Sequence, residues 1–453
     1  MGCDVLEYIV EPAKQIKVCA DVDVCVIGGS CTGVFAAIRA ARLGAKVAIV
    51  EKQNCFGGVA TNGLVNIWHS LYDIGNKNQI IAGLTEEMIE RLKTVDGVYV
   101  DLKSPTHAYY LNTEELKIEL DNVIKENRII PFLHTFYSFV ITDDKKITSV
   151  LIENKDGRSA IRAKFFIDAT GDGDVARDLH INSYQHDQVQ PPSACFYLQG
   201  KIKNSDLADM ILHHGSEVGL DDDWGWSGPL VNSELTLRVD NHVFNVLCNN
   251  AMDLTLSEME GRRQMRALVT LLKKYGYPSE KYNLISSCSH IGIRETIHYE
   301  TNFKANEMDL LCGTKYEDAV LNGTYRVDIH HGDQNGITFK DLTGKMVTYY
   351  GKRNKKIVGN WREDLSLTGD YATYYQLPFA NIVGKEYENF IAVGRMIHAD
   401  ASSFGALRVM VNLNQLGEAA GVAAYLAIDG DVALQKLQGK HVRNMLRKGG
   451  SAL

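Results

Sequence analysis

Val22-Asp23-Val24-Cys25-Val26-Ile27-Gly28-Gly29-Ser30-Cys31-Thr32-Gly33, running on through Val34–Leu43 to Lys46-Val47-Ala48-Ile49-Val50-Glu51, is the stretch that decides the fold. Val22 to Ile27 reads as a strand, the small-residue run from Val34 to Leu43 as a helix stopped by Gly44, and Lys46 to Val50 as a second strand. That is the order and length of a βαβ unit. The loop between the first two elements departs from G-x-G-x-x-G only at Ser30, where the second glycine would stand. Serine is small enough to keep the physical requirement, close approach of a pyrophosphate to unpaired N–H groups at a helix N-terminus. Glu51 ends the second strand, followed by Lys52. A carboxylate there accepts hydrogen bonds from ribose hydroxyls and repels a 2′-phosphate, so an unphosphorylated dinucleotide is expected. Alone, the glycines would signal no more than a tight turn; the flanking strand, helix and acid make them a nucleotide cradle, with Gly28, Gly29, Ser30, Thr32, Gly33, Glu51 and Lys52 as its residues.

Bulk properties narrow the setting. A chain of 453 residues exceeds the size of one ordinary core, which predicts two or three domains. The net charge of −8 disfavours nucleic acid, whose phosphates need clustered Lys and Arg. No run of about 18 apolar residues is present and the start carries no signal-peptide pattern, so the expectation is a cytoplasmic protein without a membrane partner. Met1-Gly2-Cys3 hints at lipidation, but the sixth residue is Leu6 rather than Ser or Thr. Nine cysteines, none in a C-x-x-C pair, predict neither structural zinc nor iron–sulfur clusters and fit a reducing compartment.

Working outward, Thr85–Lys93 and Thr113–Glu126 read as helices, each with a threonine as its expected cap. Thr135 to Asp168 reads as three strands separated by Asp143-Asp144-Lys145-Lys146 and Asn154-Lys155-Asp156-Gly157, an antiparallel meander. Residues from 186 to about 380 change in texture, with polar loops and one strong helix from about Ser257 to Tyr275. Asn389–Val393 reads as a last strand, leading to a helix near Val411. The expected fold is α/β: a Rossmann-like dinucleotide-binding domain formed by residues 1–185 and 381–453, and an inserted α+β substrate domain over 186–380.

FAD enters through three further segments: Asn54-Cys55-Phe56-Gly57-Gly58-Val59-Ala60-Thr61-Asn62-Gly63, then Asp168-Ala169-Thr170-Gly171-Asp172, then Asn389 to His398 with Phe404 to Met410 and Gly417-Glu418-Ala419-Ala420-Gly421. Together these resemble the FAD-dependent oxidoreductases of the glutathione-reductase-like superfamily, a group that includes the flavin part of heterodisulfide reductase A subunits. The resemblance covers roughly residues 20 to 70, 110 to 180 and 370 to 430. It implies a βαβ unit with an antiparallel meander, and FAD as cofactor. It further implies that Gly57, Gly58, Val59, Ala60 and Thr61 wrap the pyrophosphate and ribityl side, that Ala169, Thr170 and Gly171 pass near the adenine half, and that Val140 lies beside the adenine. Gly394 and Arg395 would approach the ribitol chain, and the helix near Val411 and Asn412 would point its N-terminus at the flavin N1 and C2 carbonyl, where reduced flavin carries negative charge. Many relatives have Asp directly after that glycine where this chain has Arg395, which directs attention to Asp400 or backbone for the ribityl contact.

Catalytic candidates come from the middle. Ser289-His290-Ile291-Gly292-Ile293-Arg294-Glu295 resembles the family's G-I-R-E segment and Val327-Asp328-Ile329-His330-His331 its D-I-H segment. His290, His330 and His331 are candidate bases, since histidine titrates near neutrality, and Arg294 is a candidate clamp for a carboxylate or oxyanion. The competing reading makes Arg294-Glu295 an internal ion pair. His69 and Tyr72 have two readings, lining of the same cavity and packing in a core. A metal site at His330-His331-Asp333 is disfavoured because adjacent residues on a strand face opposite sides, so no metal is expected. Cys31 and Cys55 lack the spacing of a redox pair. The expected activity is hydride exchange between FAD and a small polar molecule such as a polyol, sugar or hydroxy acid. The alternatives are reduction of an activated double bond, as in fumarate-reductase-like enzymes, with Arg294 or Arg408 as proton donor or carboxylate anchor, or an electron-transfer subunit. The electron acceptor or donor, the direction of transfer and a homo-oligomeric state stay open.

Overall fold

A computed structural model describes residues 8–101, 108–220, 225–333, 336–350 and 355–453. Its central element is a seven-stranded sheet. Lys17–Ile27 lies in the middle, parallel to Val47–Val50 on one side and to Gly157–Asp168 on the other. Ile130–Phe132 extends the first side in parallel, and Phe390–Ala392 pairs in parallel with the end of Gly157–Asp168. The other half of that long strand carries Lys146–Asn154 and Phe136–Asp143 as an antiparallel hairpin ladder. The central strands are buried on both faces, as their unbroken Val, Ile and Cys runs require.

Helix Cys31–Arg42 covers one face and crosses helix Met410–Asp429. The crossing is close because Gly417 and Gly421 lie on the seam. A Cβ on Gly417 would stand 2.1 Å from the Thr32 carbonyl oxygen, and one on Gly421 2.2 Å from that of Ala36. Beside them Glu418, fully buried, accepts from Arg39 Nε at 2.6 Å and from the Leu84 N–H at 3.1 Å. The C-terminal segment is thereby locked to the first βαβ unit.

The region after 186 forms several small sheets. Trp226–Pro229, Thr236–His242, Ser193–Gln199 and Asn283–Ser287 make an antiparallel four-stranded sheet backed by helix Ala251–Tyr275. Val327–His330, Gly336–Lys340, Lys345–Tyr350 and Lys355–Asn360 make a second. Strands Ala319–Gly323 and Tyr375–Pro378 pair with each other, and their Leu321, Tyr375 and Leu377 belong to the same apolar core as the nucleotide-binding helix.

Local boundaries differ from expectation at several ends. The caps of the two early helices are Gly83 and Asn112, not Thr85 and Thr113. Asn112 accepts from the N–H groups of Glu114 and Glu115, and the threonines are the first (Thr113) and second (Thr85) helical residues, both buried. The long helix begins at Ala251, capped by Asn250, six residues before Ser257. Its first turns carry Met252 and Leu256 half exposed, so no apolar periodicity marks them.

Candidate active site

The nucleotide loop is built by close packing. Gly28 has φ +102°, and a Cβ there would lie 2.3 Å from the Ala169 carbonyl oxygen; one on Gly33 would lie 1.9 Å from that of Gly28. Ser30 caps the helix, its Oγ accepting from the Gly33 N–H at 3.4 Å. The Gly57 N–H donates to the Gly29 carbonyl at 2.8 Å, which stitches the second glycine segment onto the first. Glu51 braces both: Oε2 accepts from the Gly29 N–H at 2.6 Å and Oε1 from the Gln53 N–H at 2.8 Å.

These segments open onto a cavity of about 600 Å³, within the ordinary range for a cofactor or ligand site. Of the residues expected to hold the dinucleotide, Gly28, Ser30, Thr32, Glu51, Lys52, Gly57, Gly58, Val59, Ala169, Thr170, Gly171, Gly394 and Arg395 line it. Gly29, Gly33, Ala60 and Thr61 stand directly behind this wall and shape it; Thr61, for instance, donates from Oγ1 to the Phe56 carbonyl at 2.7 Å. Val140 is a buried residue within the meander strand Phe136–Asp143 and does not line the cavity, whereas Thr135 and Tyr137 line it on that side. The helix expected near Val411 starts at Met410 after Val409, and Val409, Met410, Leu413 and Asn414 form its part of the lining. Asn412 points away, donating to the Tyr375 hydroxyl and the Ala406 carbonyl. Asp400 caps helix Ala401–Leu407 instead of facing the cavity. The bare backbone, the left-handed glycines and the N-terminus of helix Cys31–Arg42 together fit a pyrophosphate-bearing dinucleotide.

Arg395 donates from Nη2 to Asp172 Oδ1 at 2.6 Å and from Nη1 to Thr296 Oγ1 at 2.8 Å. Burial works against the charge on Asp172, but Arg395 and Lys52 outweigh it and hold the carboxyl below its ordinary range. Cys31 also lines the cavity. Burial pushes its thiol up to about 12, so it stays neutral.

The middle segments supply another part of the wall. His290, Arg294 and His330 line the cavity; His331, which follows the strand Val327–His330, does not, and its Nε2 lies 3.0 Å from Thr338 Oγ1. His290 Nδ1–H donates to the Ile291 carbonyl at 2.8 Å, and burial lowers its pKa. Arg294 donates from Nη1 to the Pro191 carbonyl at 2.8 Å and to Ser193 Oγ at 2.5 Å. His330 Nδ1 is 2.9 Å from His242 Nε2, and His330 Nε2 is 3.4 Å from Asp328 Oδ1. Burial first, then the cations Arg294 and Arg408, holds His330 well below its ordinary pKa, so the imidazole is neutral. Tyr325 and Arg326 also line this part, and Tyr325 donates to Asp328 Oδ2 at 2.5 Å. The sequence reading missed Tyr325, Arg326 and His242. The first two directly precede the D-I-H segment, which was the available signal, whereas His242 comes from another sheet. His69 lines the cavity with its ring 4.0 Å from that of Tyr325, while Trp68 beside it is fully buried.

Glu295 turns away from Arg294. Its Oε1 lies 2.5 Å from His186 Nδ1 and 3.3 Å from His298 Nε2, and its Oε2 accepts from the Gln190 N–H. The second nitrogens of the two rings face the carbonyls of Ala399 and Ile397. These three side chains converge within 4.8 Å, a donor set able to hold a divalent ion. The 2.5 Å separation is a hydrogen-bond distance, shorter than the roughly 3.4 Å between two ligands on one tetrahedral ion. The arrangement is that of a buried hydrogen-bonded triad which, with the Ile397 and Ala399 carbonyls, ties three chain segments together.

A parallel sheet with a glycine loop, an acid at the end of the next strand and a cavity at the strand ends define a dinucleotide-binding enzyme of Rossmann-like fold. The model of the family "FAD dependent oxidoreductase" matches residues 23–446, and the chain belongs to that family. Over 150 residues it is 32% identical to the mitochondrial dihydrolipoyl dehydrogenase of Schizosaccharomyces pombe, a match that spans 33% of this chain and 28% of that protein. Among solved structures, a geranylgeranyl bacteriochlorophyll reductase-like protein from Thermoplasma acidophilum aligns over 95% of this chain and 82% of its own, with 12% identity and a TM-score of 0.46. The myxobacterial chondrochloren halogenase aligns over 95% and 79%, with 12% identity and a TM-score of 0.44. No helix among the described residues is long and apolar enough to cross a membrane.

Proposed function

We propose that the enzyme exchanges hydride between FAD and a small polar substrate, with His330 as the base that takes the substrate's proton. The observation that carries this reading is a neutral imidazole on the cavity wall, paired to a second histidine and backed by a carboxylate. With His330 Nδ1–H donating to His242, the Nε2 lone pair is left to accept a hydroxyl proton. Asp328, 3.4 Å from Nε2, then stabilises the imidazolium that forms. FAD supplies a two-electron hydride acceptor or donor when bound. The antiparallel meander that extends the parallel strands beyond Gly157–Asp168 supports placing the chain in the glutathione-reductase-like superfamily, and the lack of C-x-x-C pairs speaks against an electron-transfer role like that of heterodisulfide reductase flavoproteins. On this reading residues 186–380 contribute the substrate side, and the protein needs neither nucleic acid nor a membrane.

Anaerobic mixing with candidate metabolites tests the proposal. Bleaching of the yellow flavin by a hydroxyl-bearing donor is the expected result. Reoxidation of chemically reduced enzyme by an enoate, with no bleaching by any donor, would instead establish the reductive direction, in which Arg408 or Arg294 anchors the acceptor.

A further inference from the structure

The cavity is electrically divided. Around the glycine loops the carboxylates of Glu51, Asp172 and Asp174 face Lys52 and Arg395, so acids match or exceed bases there. Around His330 the balance reverses: Arg294, Arg326 and Arg408 line the wall, and Asp328 is the one carboxylate among the described lining residues in that part. Asp328 is already engaged by Tyr325 and lies 3.5 Å from Arg408 Nη2. Arg326 makes no hydrogen bond or ion pair among the described residues, and its Nε is buried. Its guanidinium lies 3.6 Å over the Phe339 ring, which fixes the plane of the fork and leaves its N–H edge unused. Arg408 likewise has a buried Nε without a partner. Tyr325 lies in the field of both Arg326 and Arg408, and His330 in that of Arg294 and Arg408, so these cations are gathered about one locus.

Guanidinium groups withdrawn from water are costly unless an anion meets them. We propose that the substrate carries a carboxylate, held by Arg326 and Arg408 beside His330. This rests on the flavin-dependent reading of the same cavity and narrows its substrate to an organic acid. The neighbouring walls, Trp226, Ile337, Phe339 and Tyr349, are largely apolar or aromatic and suit the carbon body of such an acid. A planar carboxylate matches the fork of a guanidinium with two parallel hydrogen bonds, a match that a neutral amide of the same shape cannot supply.

The test uses the full chain with FAD bound and oxidised. Benzoate, benzamide and inorganic phosphate are titrated separately while the flavin spectrum and the melting temperature are followed. Benzoate is expected to perturb the spectrum saturably and raise the melting temperature, and benzamide to bind more weakly. Arg326→Gln, checked for unchanged flavin content, should weaken benzoate by about tenfold to a hundredfold. Arg326→Lys, the milder change, should also weaken it and serves if the glutamine variant does not fold. The proposal is overturned if benzoate moves neither signal, if benzamide binds as well, if phosphate binds more tightly than benzoate, or if the folded Arg326 variant binds benzoate unchanged. In each of those cases a yellow protein that is bleached by some substrate leaves the flavin reading standing. A chain that takes up no FAD overturns both together.

Discussion

At His330 the chemistry depends on a single proton. Burial and the nearby guanidinium groups keep the ring neutral, so the base is ready without deprotonation at neutral pH. Replacing it with asparagine should slow flavin reduction by about 10²- to 10⁴-fold while leaving flavin content intact, as read by stopped-flow absorbance. The same substitution with no kinetic effect would remove His330 from the mechanism. Glu295 offers a residue of a different kind. Burial opposes its charge, but His186 and His298 hold its carboxyl at about 2, and His186 is raised in return. The carboxylate's contribution is complete above its ordinary 4.5 and is lost as pH falls toward 2; that of His186 is complete below its ordinary 6.5 and is lost as pH rises through its raised value. Glu295→Gln should therefore cost stability most between those ordinary values, by about 3–5 kcal/mol for breaking a buried pair, and less in alkali. Denaturant midpoints across pH would show this narrowing, and a pH-independent loss would contradict it. The sequence placed His290, Arg294 and His330 at the cavity because each lies in a short recognisable segment. It could not show that Glu295 pairs with two histidines, since His186 reaches it from more than a hundred positions away and is itself held by the Ala399 carbonyl.

Among the elements, helix Cys31–Arg42 and helix Met410–Asp429 depend on each other. Their seam tolerates no Cβ at Gly417 or Gly421, because the atoms in the way are backbone carbonyls that cannot swing aside. Gly417→Val should push the helices apart, cost about 3 kcal/mol or more, and release FAD, because the displaced helices carry two stretches of the cavity lining. A variant that keeps its urea midpoint and its flavin would show that the seam is looser than the geometry requires. Helix ends were the least readable feature. Asn112 and Thr113 are both capping residue types, and the choice between them falls to backbone dihedrals: Asn112 is extended and Thr113 already helical. The start of helix Ala251–Tyr275 was hidden for another reason, since in its first turns Leu254 alone of the apolar side chains packs on the core while Met252 and Leu256 are exposed, which leaves no apolar stripe to read.

For the whole molecule, the cofactor site joins the first βαβ unit, the Gly57–Gly58 loop and the C-terminal segment, so binding FAD should stabilise the folded state across all three. At a free concentration about a thousand times the dissociation constant, the gain is about 4 kcal/mol. The apoprotein should therefore melt well below the FAD-loaded protein in a calorimeter; equal melting temperatures would place the cofactor outside the cooperative core. The residues around Gly28 determined by themselves that the chain forms a parallel α/β sheet with a nucleotide cradle, because a strand, a glycine turn and a helix are dictated by contacts a few residues apart. The meander was legible for the same reason, its turns being local. What only the tertiary structure decided is the substrate-facing wall. Arg294, the Arg326–His330 stretch and Arg408 come from three separate segments, with His242 from a fourth behind His330, and no pattern along the chain shows that these side chains meet across one cavity.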